Sequence, residues 1–447
     1  MSLEFSTVAL NDIVSLVIDY RGKTPKKLGA DWSESGIRAL SAKNIKTGQI
    51  IREDAIRYVD IELYNKWMKD EIKRNDILIT SEAPFGEVFF WDSDEKIVLS
   101  QRLFGVRCDE NKVDPKFIYF YMTSEMFQWE LQSRATGTTV KGLRQPELLK
   151  CQIQLPNIDN QRRISYILSN IESKINVLKE LNKHLEILLH SIFNYWFISF
   201  EKFSNSTFTE SKLGEIPKDW RIGILKDLLS LKKNPIKPSE TNGLPYLPID
   251  IIPMNSLGIS ELKSDEEANS SLISFDKNDI LIGAMRVYFH RVVISPCSGI
   301  TRSTCFVLKP KKEYYLSYLL LLCNLDQTIQ YAQNTSKGTT MPYAVWDNGL
   351  GDMDIIIPPE DILNEFHNLV FPIIEKIRDN YNEINKLQKL RDTLLPKLMS
   401  GEIDVSKINC DLIITSHYLS VRFPVIQHLF IKSYNLTSRL IDTAINI

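Results

Sequence analysis

The residues that could do chemistry in this chain are basic and polar side chains that recur in two regions. Arginine, lysine, asparagine and glutamine can hydrogen-bond to base edges, whereas lysine, threonine and glycine amides suit phosphates. In the first region the candidates are Arg21, Lys23, Lys26, Lys27, Lys43, Asn44, Gln101, Arg102, Thr138, Thr139 and Lys141. In the second region they are Lys232, Lys233, Asn234, Arg286, Thr301, Arg302, Lys337, Thr339 and Thr340. Each alone would be an ordinary solvated side chain, but the recurrence of Gly-Thr-Thr and of an arginine favours a DNA interface.

Catalytic and metal-binding motifs are absent from the sequence. It contains no G-x-x-x-x-G-K-[ST] phosphate loop, no H-E-x-x-H and no Gly-x-Ser-x-Gly. It also lacks the Asn/Asp-Pro-Pro-aromatic loop that an adenine methyltransferase would need. The six cysteines form no C-x-x-C pair, which favours reduced, buried thiols over a metal site or disulfides. We therefore predict no catalytic residue, no metal ligand and no cofactor in this chain.

The second half of the chain repeats the first. An offset of 202 residues relates Ile153-Gln154-Leu155-Pro156 to Ile355-Ile356-Ile357-Pro358, and a long helical pattern follows each. Arg74-Asn75-Asp76-Ile77-Leu78-Ile79 likewise returns as Lys277-Asn278-Asp279-Ile280-Leu281-Ile282. A repeat of this length is a domain duplication, not a solenoid.

Two long helices are predicted, over about 160–197 and 361–399. Their apolar positions alternate in steps of four and three, which is the heptad pattern of a coiled coil. The seam of the first helix is Ile164, Leu168, Ile171, Ile175, Leu178, Asn182 and Leu185. The seam of the second helix is Phe366, Val370, Ile373, Ile377, Asn380, Ile384 and Leu387. The alternative, that each helix only packs on its own domain, is disfavoured by their length and strict phase.

The predicted organisation is a mixed α/β unit at 1–157, a helix at 158–200, a polar linker at 201–220, a second unit at 221–359 and a helix at 360–405. In the first unit we predict strands at 76–80, 88–91 and 105–107, a helix at 115–131 and an irregular loop at 21–27. Residues 406–447 form a tail with no echo in the first half.

The bulk composition adds little about partners. The net charge is −2, so any DNA contact must come from local basic loops on a neutral body. No apolar run is long enough to cross a bilayer, and the N-terminus lacks the pattern of a signal peptide. We expect a cytoplasmic protein that does not act at a membrane, and the family resemblance given next implies that its source is a prokaryote.

Several motifs, in this order, resemble the specificity (S) subunits of type I restriction-modification systems. They are Gly22-Lys23-Thr24-Pro25, the run from Gly36 to Ile45, the run from Arg74 to Ile79, the run from Leu213 to Trp220, and the run from Leu394 to Ile403. The resemblance covers about residues 1–405, and the tail from Lys407 departs from it.

The resemblance implies an α+β fold with two target recognition domains, each followed by a long helix. The domains would each read half of a bipartite double-stranded DNA target, and the helices would pair antiparallel as a spacer. Two methyltransferase (M) subunits and restriction/translocase (R) subunits would be the partners, and S-adenosylmethionine, ATP and magnesium would belong to them. The alternative is a non-catalytic coiled-coil scaffold that presents two protein-binding domains and has no salt-dependent DNA affinity.

Overall fold

The computed structural model describes residues 4–137, 141–269 and 271–406. The chain forms two compact units, one reaching from the N-terminus to Asn170 and resuming at Arg391, the other comprising Ile171–Leu390. Both boundaries fall inside the long helices, so each helix contributes to both units. The predicted boundaries at 157 and 359 instead set the helices apart as separate segments. The predicted tail lies outside the described residues from residue 407 onward.

The first unit is built from short strands and helices. Its strands are β1 Ser6–Ala9, β2 Val14–Asp19, β3 Ile37–Leu40, β4 Ile45–Lys46, β5 Gln49–Ile50, β6 Arg57–Val59, β7 Ile77–Ser81, β8 Phe85–Phe90, β9 Ile97–Leu99, β10 Leu103–Cys108 and β11 Gln152–Leu155. Its short helices are α1 Leu10–Ile13, α2 Ile61–Trp67, α3 Pro115–Thr123, α4 Glu125–Ser133 and α5 Gln145–Leu149. The first long helix, α6, spans Ile158–Phe193 and continues as a π-helical turn at Asn194–Ile198.

The second unit repeats this plan. Its strands are β12 Phe208–Ser211, β13 Gly214–Pro217, β14 Arg221–Ile224, β15 Leu229–Leu231, β16 Pro235–Ile236, β17 Tyr246–Leu247, β18 Leu272–Phe275, β19 Ile280–Gly283, β20 Val292–Ile294, β21 Gly299–Arg302, β22 Cys305–Pro310 and β23 Asp354–Ile357. Its helices are α7 Leu225–Leu228, α8 Leu316–Cys323, α9 Asp326–Asn334 and the long α10 Glu360–Met399.

Sheet topology confirms the duplication. The central antiparallel sheet has the order β2-β10-β7-β8 in the first unit and β15-β22-β19-β20 in the second. A separate pair joins the strand at the start of each unit to the strand before its long helix, β1 with β11 and β14 with β23. The remaining sheets differ, β6-β3-β9 against β16-β18-β21-β17. Each unit therefore keeps one framework and varies the structure around it.

The repeated Asn-Asp motif is structural. Asn75 and Asn278 both adopt a left-handed backbone with φ 71°, a conformation that asparagine tolerates better than most residues. The carboxylate that follows each of them is buried and accepts a backbone N–H three residues upstream, at 2.8 Å for Asp76 and 2.7 Å for Asp279. This turn fixes where β7 and β19 begin, and their apolar side chains fill the core.

Each buried carboxylate also has a cationic partner, but from a different strand. Arg107 of β10 donates two hydrogen bonds to Asp76, at 2.8 and 2.7 Å. In the second unit Lys232, directly after β15, binds Asp279 at 2.5 Å and Asp276 at 2.6 Å. Burial opposes the charge of Lys232, yet the hydrogen bonds to the two aspartates raise its pKa overall. The same electrostatic requirement is met by two unrelated positions.

Three predicted features of local structure need correction. The helix predicted at 115–131 is two helices, because Ser124 is extended and caps α4 by accepting a hydrogen bond from Phe127 N. The predicted polar linker contains the β12–β13 hairpin. The predicted irregular loop ends in a 3₁₀ turn at Lys26–Leu28. In each case a cap or a cross-strand pair forms that hydropathy does not reveal.

Replacing Asp76 with alanine should destabilise the first unit by about 3 kcal/mol, because a half-buried guanidinium then loses its carboxylate. Arg107 is only 25% exposed, and the carboxylate that it loses is that of Asp76, whose side chain is 1% exposed. Urea unfolding of the full chain measures the change. The control is Arg74→Ala, which removes exposed ion pairs to Asp92 and Asp94 and should leave the midpoint in place. Equal midpoints for Asp76→Ala and Arg74→Ala would contradict this assignment.

Candidate DNA interface and coiled coil

Each unit presents one exposed loop at the same end of its central sheet. In the first unit Thr136 and Gly142 exchange backbone hydrogen bonds at 2.9 and 2.8 Å and close the loop. In the second unit Lys337 and Tyr343 do the same at 2.9 Å in both directions. Thr339 and Thr340 lie at the exposed tip of the second loop, whereas Thr138 and Thr139 lie outside the described residues.

The two loops are anchored in the same way. Leu143 N donates to Ser81 O at 2.9 Å, at the end of β7, and Ala344 N donates to Ala284 O at 2.8 Å, just after β19. Leu143 and Ala344 therefore occupy equivalent places in the two units. Exposed residues of these loops, such as Lys141 in the first unit and Thr339 in the second, are suited to contacting an external surface.

Around the first loop, Gln101, Arg102 and Lys141 are exposed. Arg102 has a left-handed backbone, φ 63°, and its guanidinium lies 2.8 Å from Glu82. Arg21 reaches the same place but is held inside the unit, because its guanidinium binds Asp19 and donates to Leu143 O. The exposed cations here are therefore Arg102 and Lys141.

Around the second loop, cationic and large apolar side chains are mixed. Lys337 is exposed at the start of the loop, and exposed Arg286 is tied to it through its backbone N–H, which donates to Pro342 O at 2.8 Å. Met341 and Tyr343 are exposed on the loop itself. These two were missed from sequence; an apolar residue beside a Gly-Thr-Thr turn was the signal available.

Four further predicted interface residues, besides Arg21, form their contacts inside the protein. Lys23 donates to Trp67 O at 2.7 Å, and burial lowers its pKa. Asn44 is buried and completes a capping box with Ser41. Thr301 is buried and donates to Leu247 O at 2.7 Å. Together with Lys232, these residues form no part of the interface proposed below.

The remaining predicted residues are exposed, and none of the hydrogen bonds that close or anchor the two loops involves them. They are Lys26, Lys27, Lys43, Lys233, Asn234 and Arg302. The predicted correspondence of Arg102 with Arg302 is not the structural one. Arg102 O accepts from Ser81 N, and in the second unit Thr304 O accepts from Ala284 N. Thr304 therefore occupies the position of Arg102.

The long helices pair antiparallel within the second unit. Lys174 of α6 lies 3.0 Å from Glu383 of α10, Asn182 meets Asn380, and Phe193 packs on Phe366. Residue numbers rise along one helix as they fall along the other, which is the signature of antiparallel packing. The predicted antiparallel coiled coil is confirmed in this part of the chain.

A buried asparagine pair lies in the seam. Asn380 Nδ2 donates to Asn182 Oδ1 at 2.7 Å, and Asn182 Nδ2 donates to Ile377 O at 3.3 Å. Both side chains are only 2% exposed. Because buried amides need partners, this pair favours the register in which the two asparagines face each other.

Most of the predicted seam is buried. Ile164, Leu168, Ile171, Ile175, Phe366, Val370, Ile377 and Ile384 are buried together with the two asparagines. Leu178, Leu185, Ile373 and Leu387 are partly buried, and the neighbouring Ile374 is buried in place of Ile373.

The ends of the helices leave the coiled coil and enter globular cores. Ile164 and Leu168 pack in the first unit with Leu398 and Met399, at the end of α10. In the second unit Phe197, after α6, packs edge-on against Phe366 with ring centroids 4.7 Å apart. Each long helix thus forms a coiled coil in one segment and packs on a globular domain in another. Both interpretations of the helical pattern therefore apply.

A polar network next to the asparagine pair joins the coiled coil to the second recognition domain. Glu186 of α6 accepts hydrogen bonds from Ser256 Oγ at 2.8 Å and from Leu257 N at 3.1 Å. Burial raises the pKa of Glu186, and those hydrogen bonds oppose the rise. Tyr381 of α10 contacts Ser256 Oγ through its hydroxyl at 3.3 Å and packs where a Cβ on Gly258 would lie, only 2.0 Å from its ring. No pattern in the sequence indicates this network.

No group of three or more His, Cys, Asp or Glu side chains that could hold a metal ion occurs within the described part of the chain. Among the helices of residues 4–137, 141–269 and 271–406, none is both long and apolar enough to cross a membrane.

Known proteins that resemble this chain are specificity subunits. A family model described as the type I restriction modification DNA specificity domain matches residues 3–187. The type I restriction enzyme MjaIX specificity subunit of Methanocaldococcus jannaschii is 28% identical over 375 residues, covering 80% of this chain and 82% of that protein. The HindI specificity subunit of Haemophilus influenzae is 20% identical over 409 residues, covering 75% and 88%.

A solved structure has the same fold. The crystal structure of the type I restriction-modification S subunit from M. genitalium matches with a TM-score of 0.57 and 16% identity, over 89% of this chain and 96% of that one. A duplicated α+β unit with paired long helices is thus a fold that this chain shares with a solved specificity subunit. The chain is similar to type I restriction-modification specificity subunits in sequence over most of its length. That similarity supports the prediction of a non-catalytic subunit.

Replacing Asn182 alone with alanine should destabilise the second unit by about 1–3 kcal/mol, because the Asn380 amide is left buried without its partner. The double variant Asn182→Leu/Asn380→Leu removes both amides and should recover most of that loss. Denaturant unfolding of the full chain measures both. Lys174→Ala, which breaks only the exposed pair with Glu383, serves as the control. A single variant as stable as the wild type would show that the amide pair does not hold the helices.

Proposed function

We propose that this chain reads DNA sequence for a type I restriction-modification complex, with each unit contacting one half of a bipartite target. The observation that carries this proposal is the exposed loop that both units hold at the same end of the same four-stranded sheet. Two similar loops on one chain are what a two-part target would require. Their different side chains would let each unit read a different sequence.

The side chains around the loops suit DNA. Arg102 and Lys141 near the first loop, and Arg286 and Lys337 at the second, are exposed cations. Lysine and arginine neutralise phosphates, and arginine can also bind guanine edges in the major groove. Because the net charge is −2, the electrostatic attraction to DNA would come from these local clusters together with the partner subunits. The scaffold alternative gives no reason for cations to gather at both loops.

The paired helices would act as the spacer between the half-sites. Their register is defined by buried amides, which favours one alignment over others. An α-helix rises 1.5 Å per residue, so a change of helix length should become a change of distance along the DNA.

The methyltransferase subunits would dock on the coiled coil. α6 carries a second apolar stripe, away from its seam, formed by Val177, Leu181 and Leu188, which are 65%, 38% and 43% exposed. Exposed apolar residues aligned along one helix favour packing against another helix. The methyltransferase subunits would supply S-adenosylmethionine chemistry, and restriction/translocase subunits would use ATP and magnesium.

The test of the whole proposal is the adenine methylome of the source cell with and without this gene. We expect deletion to remove one bipartite methylated motif, and reintroduction of the chain to restore it. Persistence of every motif, in a cell where the partner methyltransferase is expressed, would contradict the DNA-reading function.

The same assay tests the spacer. Deleting residues 171–177 and 383–389 together removes Lys174 with its partner Glu383 and keeps Asn182 opposite Asn380. Seven residues correspond to about 10 Å, or roughly three base pairs at 3.4 Å each. We expect the gap in the methylated motif to shorten by about three base pairs or methylation to be lost. Full methylation at the original gap would refute the spacer.

Replacing Val177, Leu181 and Leu188 with serine should weaken co-purification with the methyltransferase subunit at least tenfold, with little effect on folding, because these side chains are exposed. The matched control is Ile61→Ser/Met254→Ser, which removes apolar side chains that are 54% and 55% exposed elsewhere. Equal recovery of the partner by both variants would rule out docking on this stripe.

A further inference from the structure

The first unit fills the space beside its Phe104 ring with its own arginine. The guanidinium carbon of Arg21 lies 3.9 Å from the centre of the ring. Its Nη1 donates to Leu143 O at 3.0 Å, while Nε and Nη2 donate to the two carboxylate oxygens of Asp19. This place next to the recognition loop therefore accepts a flat group that stacks on an aromatic ring and donates to a backbone carbonyl.

Strand pairing identifies the same place in the second unit. Phe306 pairs with Ile282 in β19 as Phe104 pairs with Ile79 in β7. Ala344 takes the place of Leu143, because each donates its N–H to the residue that ends the central strand.

The chain that follows this strand differs between the units. Leu231 faces Leu308 as Val17 faces Val106. After Leu231, however, β15 ends, and Pro235 begins β16 by pairing with Ile273 of β18. None of the side chains that line this place in the second unit is an arginine.

The second unit has a cavity of about 400 Å³ here. Phe306, Trp346 and Tyr343 line it, together with Ala344, Lys337 and Asp347. The Phe306 and Trp346 rings meet edge to face, with centroids 6.2 Å apart and an angle of 67° between their planes. A volume of about 300–1,000 Å³ is typical of sites that hold small ligands.

The charges around this place differ between the units. In the first unit Asp19 pairs with Arg21 and Glu82 pairs with Arg102, so the site already holds its own cation. In the second unit Lys337 lines the cavity and Lys233 lies at its rim, 3.8 Å from Asp347. A flat group that carries phosphate fits this arrangement better than the guanidinium of a partner protein does.

We propose that the cavity of the second unit receives one nucleobase of the bound DNA, unstacked from the duplex, with the adjoining phosphate at Lys337. The base stacks on Phe306 and is enclosed by Trp346 and Tyr343, as aromatic side chains hold bases in single-stranded sites. The inference rests on the proposed function, because it names the group that the second recognition loop would take from the DNA.

A set of duplexes tests this in the complex of the full chain with its methyltransferase subunits. Each duplex carries the methylated motif with one abasic residue, placed opposite a different base in turn. A base without a partner is easier to unstack. We expect one position, other than a methylated adenine, at which affinity rises about tenfold, equivalent to about 1.4 kcal/mol.

The matched variant is Ser303→Trp, which puts a large side chain at an exposed position in the lining of the cavity and fills it. We expect the tenfold gain at that one position to vanish, while gains at methylated adenines persist. Lys337→Ala, at another exposed position, should keep the gain and lower the salt dependence of binding by about one phosphate contact.

The outcomes separate the two proposals. Absence of any extra position, or a gain that survives the filled cavity, overturns the nucleobase assignment and leaves DNA reading intact. Loss of the methyltransferase subunit from the filled variant would assign the cavity to a protein partner and also overturn it. Failure of the wild-type complex to bind any of these duplexes would overturn the proposed function itself.

Discussion

The structure depends on two buried amides meeting across the long helices. Asn182 and Asn380 come from opposite halves of the chain, and each is almost fully buried. A slip of the helices would leave both amides against apolar side chains, at a cost of about 1–3 kcal/mol for each unsatisfied group. The apolar seam alone would tolerate several alignments, since leucine and isoleucine pack similarly at neighbouring heptads. The amide pair therefore selects one alignment of the two helices, whose apolar surfaces alone would allow several.

Polar side chains next to the amide pair connect the helices, in this register, to the second recognition domain. Glu186 lies one turn from Asn182, and Tyr381 directly follows Asn380. Both reach the segment Ser256–Gly258 of the domain. A shift of either helix would break these hydrogen bonds, so the domain and the coiled coil are held by one connected set of contacts. The side chains of the recognition loop can vary because the contacts between the domain and the coiled coil do not involve the loop.

The duplication has preserved a framework and exchanged what it holds. The central sheet, the left-handed asparagine and the buried aspartate recur, but the cation that neutralises the aspartate comes from β10 in one unit and from beyond β15 in the other. At the loop, the arginine that stacks on Phe104 in the first unit has no arginine counterpart among the residues that line the cavity of the second. The two units thus share the interactions that stabilise the sheet below the loop, and they differ in the side chains at the loop surface.

The repeat, the heptads and the missing catalytic motifs follow from sequence because they are properties of order and spacing along the chain. Periodicity located β7 and α10 to within one residue at each end, and α6 and β10 to within a few residues. It did not show that Ser124 divides a helix or that Ile374 replaces Ile373 in the buried seam, because a cap and a packing neighbour act at single residues. It also could not distinguish an interface lysine from a structural one.

That distinction was decided by the tertiary structure alone. Lys232 and Lys337 look alike in the sequence, yet one is buried against Asp279 and the other is exposed on a loop. Lys23 and Arg21 are likewise drawn inward by the carbonyls of Trp67 and Leu143, which lie far along the chain. The sequence by itself determined the duplicated units, the helical seam and the kinds of side chain available to bind DNA. Which of those side chains face outward was settled only by folding, because the partners that bury a charge come from distant segments.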